Sequence, residues 1–586
     1  MKEMLRIWRS PLSSFGSFQR RPDPWKMETV TALDAYSDEE LARIAVAGFN
    51  AVWLHGDLNH VVRTKVFPEL GRDAGLHQQR LNALVQRAKR HGLGIMMFCQ
   101  PPKAMPLEDD FWRNRADLAG QREIVTGEGV GEDVEVQALC TSTKPVQDFL
   151  FQTAAELAEK VPELGGLILI TASEYPAHCW SRRGNIMLGD GSLARAEMEC
   201  PRCRDRSAGA VVTEVIQRIR DGVRSVRADM KIIAWNWSWS FYEPIPCANI
   251  ISGLPLDVIL MADFERGGLK RIHGVDTVID EYSLGFVGPS RQFVESLEVA
   301  RSRGLEVMAK LQFSTTHEMA TVPNLPVMGN VLSKAFAVLR LQLSGFMGCW
   351  NIGNSISANT AGFIAALSGR LPGDLPAALA AFASEYFPGC DAAKTASAWL
   401  IFGEAMDCYP FSTTFLYSGP ANYALVIPTA PGPLTGKPLG RSWMMDERGD
   451  DFAPALAGTS ADDVAAGFER LAARWGEGLR EYREALHEGR GSPQALDELR
   501  TAEVCFHAFR SLVNHLRIYQ LRSRWTPEVL PEYRVVIRKE LEVLRAVLPI
   551  LQADKRFGYH SEARGYQYDA DQVARQIAEL ERQTSA

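Results

Sequence analysis

Eight short apolar runs, each followed by a stretch of helical periodicity, occupy residues 1 to 365 and leave few folds open to this chain. They are Leu5 to Trp8, Ala51 to His55, Gly94 to Cys99, Leu167 to Ile170, Lys231 to Trp235, Asp257 to Met261, Glu306 to Phe313 and Phe346 to Trp350. Short runs rich in β-branched and aromatic residues suit strands covered on both faces. Between them DEELARIAVAGF, RLNALVQRAKRHG, VQDFLFQTAAELAEKV, VVTEVIQRIRDGVRSV, RQFVESLEVARSRG and SKAFAVLRLQLSG repeat apolar residues at helical spacing. Gly48, Gly92, Gly304 and Gly345 stand near the helix ends, where a left-handed residue would turn the chain into the next strand. Eight βα units predict an α/β fold, a closed (β/α)8 TIM barrel over residues 1–368. An open doubly wound sheet is the competing architecture, but no G-x-G-x-x-G follows the first strand.

Beyond the barrel the pattern changes. LPAALAAFASEYF, AKTASAWLIFGEAMD, VAAGFERLAARWGEGLREYREALHEG, LDELRTAEVCFHAFRSLVNHLRIYQLR and YRVVIRKELEVLRAVLPILQ read as amphipathic helices. They predict a helical carboxyl-terminal domain over residues 369–586, with a Gly/Pro-rich insertion at 418–451. The 586 residues are 46% hydrophobic, enough for a large core. The net charge of -7 comes from 64 basic and 71 acidic residues without a basic field, which argues against nucleic acid as a partner. No run of eighteen apolar residues suggests a membrane span, and MKEMLRIWRSPLSS lacks the apolar core of a signal peptide, so a cytoplasmic chain is expected. The long terminal helices offer a surface for a homodimer.

In a barrel, function sits where the strands exit at their carboxyl ends. The expected exits place His55 and Asp57 after the second strand, Gln100 after the third, and Glu174 after the fourth. Trp235, Asn236, Trp237 and Trp239 follow the fifth. Asp263 and Glu265 follow the sixth, Lys310, Gln312 and Glu318 belong to the seventh, and Trp350 and Asn351 follow the eighth. Aromatic faces stack on the C–H face of a pyranose, and carboxylates and amides take its hydroxyls, so this mixture points to a carbohydrate ligand. Two carboxylates flanking one glycosidic bond are the minimum for its hydrolysis. Glu174 is the candidate acid/base, because a carboxyl at an apolar strand end is where burial raises a pKa toward neutrality. Its partner is either Glu318, as nucleophile, or one of Asp263 and Glu265, which would activate water or bind hydroxyls.

The fourth-strand Glu in ITASE and the fifth-strand Trp in AWNW resemble the corresponding residues of retaining and substrate-assisted glycoside hydrolases, most nearly a hexosaminidase-like, family 20-like branch. The resemblance covers residues 1 to 365. It implies a glycosidase that cleaves a terminal sugar from an oligosaccharide or glycoside, retaining in outcome, with Glu174 as general acid. In hexosaminidases an Asp directly before that Glu orients the substrate acetamido group, and here the position holds Ser173. A substrate-assisted β-N-acetylhexosaminidase is therefore the alternative reading, and a non-catalytic carbohydrate-binding barrel is another.

Most of the ten cysteines are isolated in apolar surroundings, but Cys200-Pro-Arg-Cys203 is a C-x2-C knuckle with Cys179 twenty-one positions before it. Three thiolates need a fourth ligand to complete a tetrahedral structural zinc. Cys140, expected at the exit of the third strand, is the first choice and His178 the second. Four protein ligands leave no open position, so the metal is expected to hold structure.

Overall fold

The computed structural model describes residues 3–13, 23–125, 134–172, 175–181, 185–187, 193–195, 197–272, 274–487 and 492–585. The chain forms two compact units. One comprises Met1–Phe264, Arg291–Lys310 and Leu343–Gly348; the other comprises Glu265–Ser290, Leu311–Gln342 and Cys349–Ala586.

The first unit contains a closed parallel barrel. Its strands are β1 (Leu5–Trp8), β2 (Ala51–His55), β3 (Gly94–Cys99), β4 (Gly166–Ile170), β5 (Lys231–Trp235), β6 (Ile259–Asp263), β7 (Val307–Lys310) and β8 (Gly345–Met347). They pair in sequence order, and β8 returns to β1 with Leu5 opposite Gly345 and Ile7 opposite Met347. This is the TIM arrangement that eight consecutive βα units predict. β4, GLILI, is buried along its whole length, which explains its lack of polar alternation.

The helix Ala208–Arg224 shows how the outer layer is specified. Ser207 caps it by accepting from the Ala210 N–H at 3.1 Å. Val211, Val215, Ile219 and Val223 follow at intervals of one turn, and all are buried. Each such side chain contributes about 1.5–3 kcal/mol of burial.

The structure corrects several expected details. Gly48, Gly92 and Gly304 take left-handed conformations, but Gly345 does not, and Gln342 (φ 48°) carries that turn instead. Gly345 serves close packing: a Cβ there would lie 2.5 Å from the Leu5 carbonyl oxygen. The sixth strand starts at Ile259, two residues after Asp257, which Arg220 and Arg224 hold in ion pairs of 2.9 and 2.5 Å. The shift makes Asp263 the last residue of β6, opposite Lys310 of β7. Cys140 does not follow a barrel strand. It follows Val134–Leu139, the middle strand of an antiparallel sheet with Met105–Pro106 and Ala119–Val125, inserted between β3 and β4.

The second unit is mainly helical. Its longest helices are Ala461–His487, Pro493–Ser523 and Leu530–Ala553. Trp475 stacks on Phe402 with ring centres 4.4 Å apart and donates its indole N–H to the Ala502 carbonyl at 2.9 Å. The segment 418–451 belongs to this unit and contains short 3-10 turns. It is tied down by Asp450, which accepts from the Thr435 hydroxyl at 2.6 Å and pairs with Arg522 at 2.8 Å. No described helix is long and apolar enough to cross a membrane.

Candidate active site and thiol cluster

The carboxyl ends of the first unit's strands gather a connected set of aromatic and polar groups. Trp235, the last residue of β5, donates its indole N–H to Asp263 Oδ1 at 2.8 Å, and the Asp263 backbone N–H donates to Asn236 Oδ1 at 3.2 Å. The rings of Trp235 and Trp237 lie 5.7 Å apart, and Phe98 of β3 stands edge-on to Trp235 at 6.3 Å. The His55 ring lies 5.8 Å from that of Phe98. The aromatic chain from β2 to β5 thus ends beside a carboxylate. Ser238 takes a left-handed conformation (φ 61°) between Trp237 and Trp239. Such a residue usually costs about 1 kcal/mol or more, and here it reverses the chain between two of the tryptophans. Trp239 is fully buried and donates to Thr171 Oγ1 at 3.1 Å, so it fastens the loop after β5 to the end of β4.

Beneath His55 lies a buried ion pair that sequence reasoning missed. Glu28 pairs with Arg9 at 2.7 Å and accepts from the His55 backbone N–H at 2.8 Å, while the Arg9 guanidinium covers the Trp53 ring at 4.2 Å. Arg9 directly follows β1, so the same strand-exit argument would have found it. Burial, reinforced by the charge of Lys103, pulls His55 down to about 3, leaving the imidazole neutral at physiological pH. Gln100, just past β3, is buried, as is Lys310 at the end of β7. Glu174 and Ser173 lie outside the described residues.

The remaining expected site residues belong to the second unit. Glu265 is fully buried and ion-paired with Lys334. The Glu265 Oε1 also accepts from the Gln312 N–H at 3.2 Å, and Lys334 donates to the carbonyls of Ser283 (2.7 Å) and Gln312 (3.1 Å). Removing the ammonium would strand a buried carboxylate. Lys334→Met is expected to cost about 3–5 kcal/mol, read from the denaturant midpoint, with much of it recovered in the Lys334→Met/Glu265→Gln pair.

Glu318 is also an internal tie. It accepts from the Ser283 hydroxyl (2.7 Å), the Leu284 N–H (2.7 Å), the Gly285 N–H (3.2 Å) and the Thr316 hydroxyl (2.9 Å). A Cβ on Gly285 would come within 3.0 Å of Oε1, which accounts for glycine in this cage. Both oxygens are engaged, and a nucleophilic carboxylate needs one directed at substrate. Trp350 is half-buried. Asn351 and Gln312 are buried, and their side-chain carbonyl oxygens have no partner among the described residues; Gln312 donates to the Ile352 carbonyl at 3.1 Å.

The four cysteines converge in the first unit. The sulfurs of Cys140, Cys179, Cys200 and Cys203 lie within 4.8 Å of one another, and all four residues are buried. Cys140 Sγ stands 3.6 Å from Cys200 Sγ and 3.7 Å from Cys203 Sγ, far beyond a disulfide bond length. Zinc–sulfur bonds of about 2.3 Å in tetrahedral geometry put sulfurs about 3.8 Å apart, so the donor set fits such an ion. Hydrogen bonding, from Cys179 first, holds the Cys140 thiol low at about 6, and Arg202 Nε donates to the same sulfur at 3.2 Å. Gly120 makes room for the cluster, since a Cβ there would lie 2.5 Å from Cys179 Sγ. His178 is excluded as the fourth ligand, because its Nε2 meets the Thr171 carbonyl at 2.6 Å and its Nδ1 accepts from the Trp180 N–H at 3.2 Å.

No protein-family model and no curated protein matches the chain. Among solved structures it is similar to a GH138 enzyme targeting pectin rhamnogalacturonan II, at 10% identity and a TM-score of 0.49, covering 99% of this chain and 68% of that one. It is also similar to CpGH89 from Clostridium perfringens, solved in complex with its substrate GlcNAc-alpha-1,4-galactose, at 9% identity and a TM-score of 0.47, covering 94% of this chain and 54% of that one. This chain therefore spans about half the length of CpGH89. A third, CpGH84B, has 10% identity and a TM-score of 0.36, covering 98% and 76%. These structural neighbours are glycoside hydrolases of several families.

Proposed function

We propose that this chain is a glycosidase that cleaves a terminal sugar from an oligosaccharide or glycoside by carboxylate acid/base catalysis. The observation that supports it is the arrangement at the carboxyl ends of β5 and β6: a carboxylate, Asp263, oriented by the Trp235 indole, beside Asn236 and an aromatic chain reaching back to His55. Sugar rings stack on such aromatics, and the flanking amide and carboxylate suit their hydroxyls. Glu174, four residues past β4 in sequence, is the proposed acid/base. Asp263 is the proposed second carboxylate, in preference to Glu265, which is fully buried with Oε1 on Lys334, and to Glu318, both of whose oxygens serve the 283–285 turn. A retaining outcome is part of the proposal, with Asp263 attacking the anomeric carbon while Glu174 protonates the departing oxygen.

The hexosaminidase-like alternative enters through ITASE and AWNW. It requires a group to hold the acetamido nitrogen, which Ser173 does less well than an ionised Asp. A panel of 4-nitrophenyl glycosides, with and without N-acetyl groups, separates the two readings. Hydrolysis restricted to N-acetyl glycosides would favour substrate assistance. Hydrolysis of plain glycosides supports direct attack, and silence across the panel in a folded sample would remove the glycosidase reading.

The cysteine cluster is proposed to hold one structural zinc. Its ligands come from the insertion before β4 and from the loop after it, two segments of the first unit that no barrel strand pairing connects.

A further inference from the structure

Within the first unit, the loops after β2, β3 and β4 enclose a cavity of about 440 Å³ whose wall includes Asp57, Asn59, Lys103 and Tyr175. That volume suits a small ligand such as one or two sugar rings. Asp57 caps the short helix Leu58–Val61, with Oδ1 accepting from the Asn59 N–H at 2.9 Å. Its other oxygen, Oδ2, faces Lys103 Nζ at 3.6 Å. The two groups form an ion pair inside the cavity wall. Lys103 is held back over the Tyr175 ring, 4.6 Å from its centre, and the Tyr175 hydroxyl is committed to the Ala104 carbonyl at 3.3 Å. Burial pushes the Asp57 carboxyl up, but Lys103 and His60 outweigh it and keep the group ionised. Asn59, 5% exposed, donates its amide to the Lys103 carbonyl at 3.0 Å, while its Oδ1 has no partner among the described residues.

The lining therefore sets a carboxylate and an ammonium group side by side. A sugar hydroxyl both donates and accepts, so one hydroxyl can donate to Asp57 Oδ2 while its neighbour accepts from Lys103 Nζ. Among the other charged lining residues Glu69 and Asp110 pair with Arg115 at 2.8 Å and Arg113 at 3.1 Å, which leaves Asp73 and Asp109 against Arg72 and gives an anionic sugar no favourable field. We propose that this cavity selects a neutral sugar through two adjacent ring hydroxyls, with Asp57 and Lys103 as the residues that read the diol; the proposal rests on the glycosidase reading above.

The test uses the full chain and whichever 4-nitrophenyl glycoside of the panel it hydrolyses, together with the monodeoxy analogues of that glycoside. Lys103→Met and Asp57→Asn are each expected to raise KM by about 10- to 100-fold with a smaller change in kcat. Asn caps a helix as well as Asp, so the second variant keeps the fold. On the analogue lacking the hydroxyl that donates to Asp57, Asp57→Asn should differ from wild type by less than about threefold while Lys103→Met keeps its loss, and the reverse is expected on the analogue lacking the hydroxyl that accepts from Lys103. Equal losses on every analogue, or no loss at all, would overturn the assignment. If the wild-type chain hydrolyses nothing, the glycosidase reading fails separately, and the cavity is judged by saturation-transfer NMR with the methyl glycosides of glucose, galactose and mannose. Binding that disappears in Lys103→Met upholds the cavity as a sugar site; absent binding, or binding unchanged in the variant, rejects it.

Discussion

Glu174→Gln is expected to lower kcat/KM on poor leaving groups, which reports the first, bond-breaking step, by about 10²- to 10⁴-fold while leaving the melting temperature nearly unchanged. The size of the loss should depend on the leaving group. A glycoside whose departing oxygen is already a stable anion needs little protonation, so activated 2,4-dinitrophenyl glycosides should lose far less than methyl glycosides. That gradient distinguishes a general acid from a residue that only positions substrate, which would depress all leaving groups alike. Uniform loss would move Glu174 to a binding role, and full activity would end its part in the proposal. Asp263→Asn provides the complement. It keeps an acceptor for the Trp235 indole but removes the negative charge, so turnover should fall on every leaving group.

The second large effect concerns the thiol cluster. The wild-type chain is expected to carry about one zinc, and Cys200→Ser to carry almost none, because a hydroxyl is a poor replacement for a thiolate in a four-sulfur site. Loss of a bound ion held at about 1,000 times its Kd costs about 4 kcal/mol, so thermal unfolding should begin lower in the variant and in wild type treated with a strong chelator. Metal analysis on the same samples identifies the ion. Iron in place of zinc would show as visible absorption, and a wild-type chain without metal would leave four buried thiols whose spacing has another cause.

Much of the barrel was legible because strand and helix periods differ so plainly. β4 and the helix Ala208–Arg224 carry apolar residues in patterns that admit only one reading each. The insertion between β3 and β4 was less legible. Val134–Leu139 is as long as a barrel strand, and VEVQAL could equally have belonged to the barrel until pairing with Ala119–Val125 decided the matter. The start of the sixth strand was misplaced at Asp257, whose arginine partners come from the helix Ala208–Arg224. The thiol cluster was readable from a knuckle plus one upstream cysteine, whereas its fourth member depended on folding of the insertion. Residue type alone did not distinguish carboxylates available for chemistry from those spent internally. Glu265 and Glu318 look equivalent to Asp263 in sequence, and only Lys334, Ser283 and the Gly285 turn reveal how they are used.

The seam between β1 and β8 affects how the chain is made. Leu5 leaves the ribosome some 340 residues before its partner Gly345, and the seam is complete only when Met347 has been delivered. Until then β1 and β7 each present an unpaired parallel edge, the kind of surface that recruits other chains. Pairings so distant in sequence are also slow to form. During synthesis the nascent barrel is thus an open, curling sheet that must be kept from its neighbours, and the narrow fit of Gly345 against Leu5 is the final latch. A bulkier residue at that position would be felt first as poor yield of soluble protein, before any defect in the finished molecule could be measured.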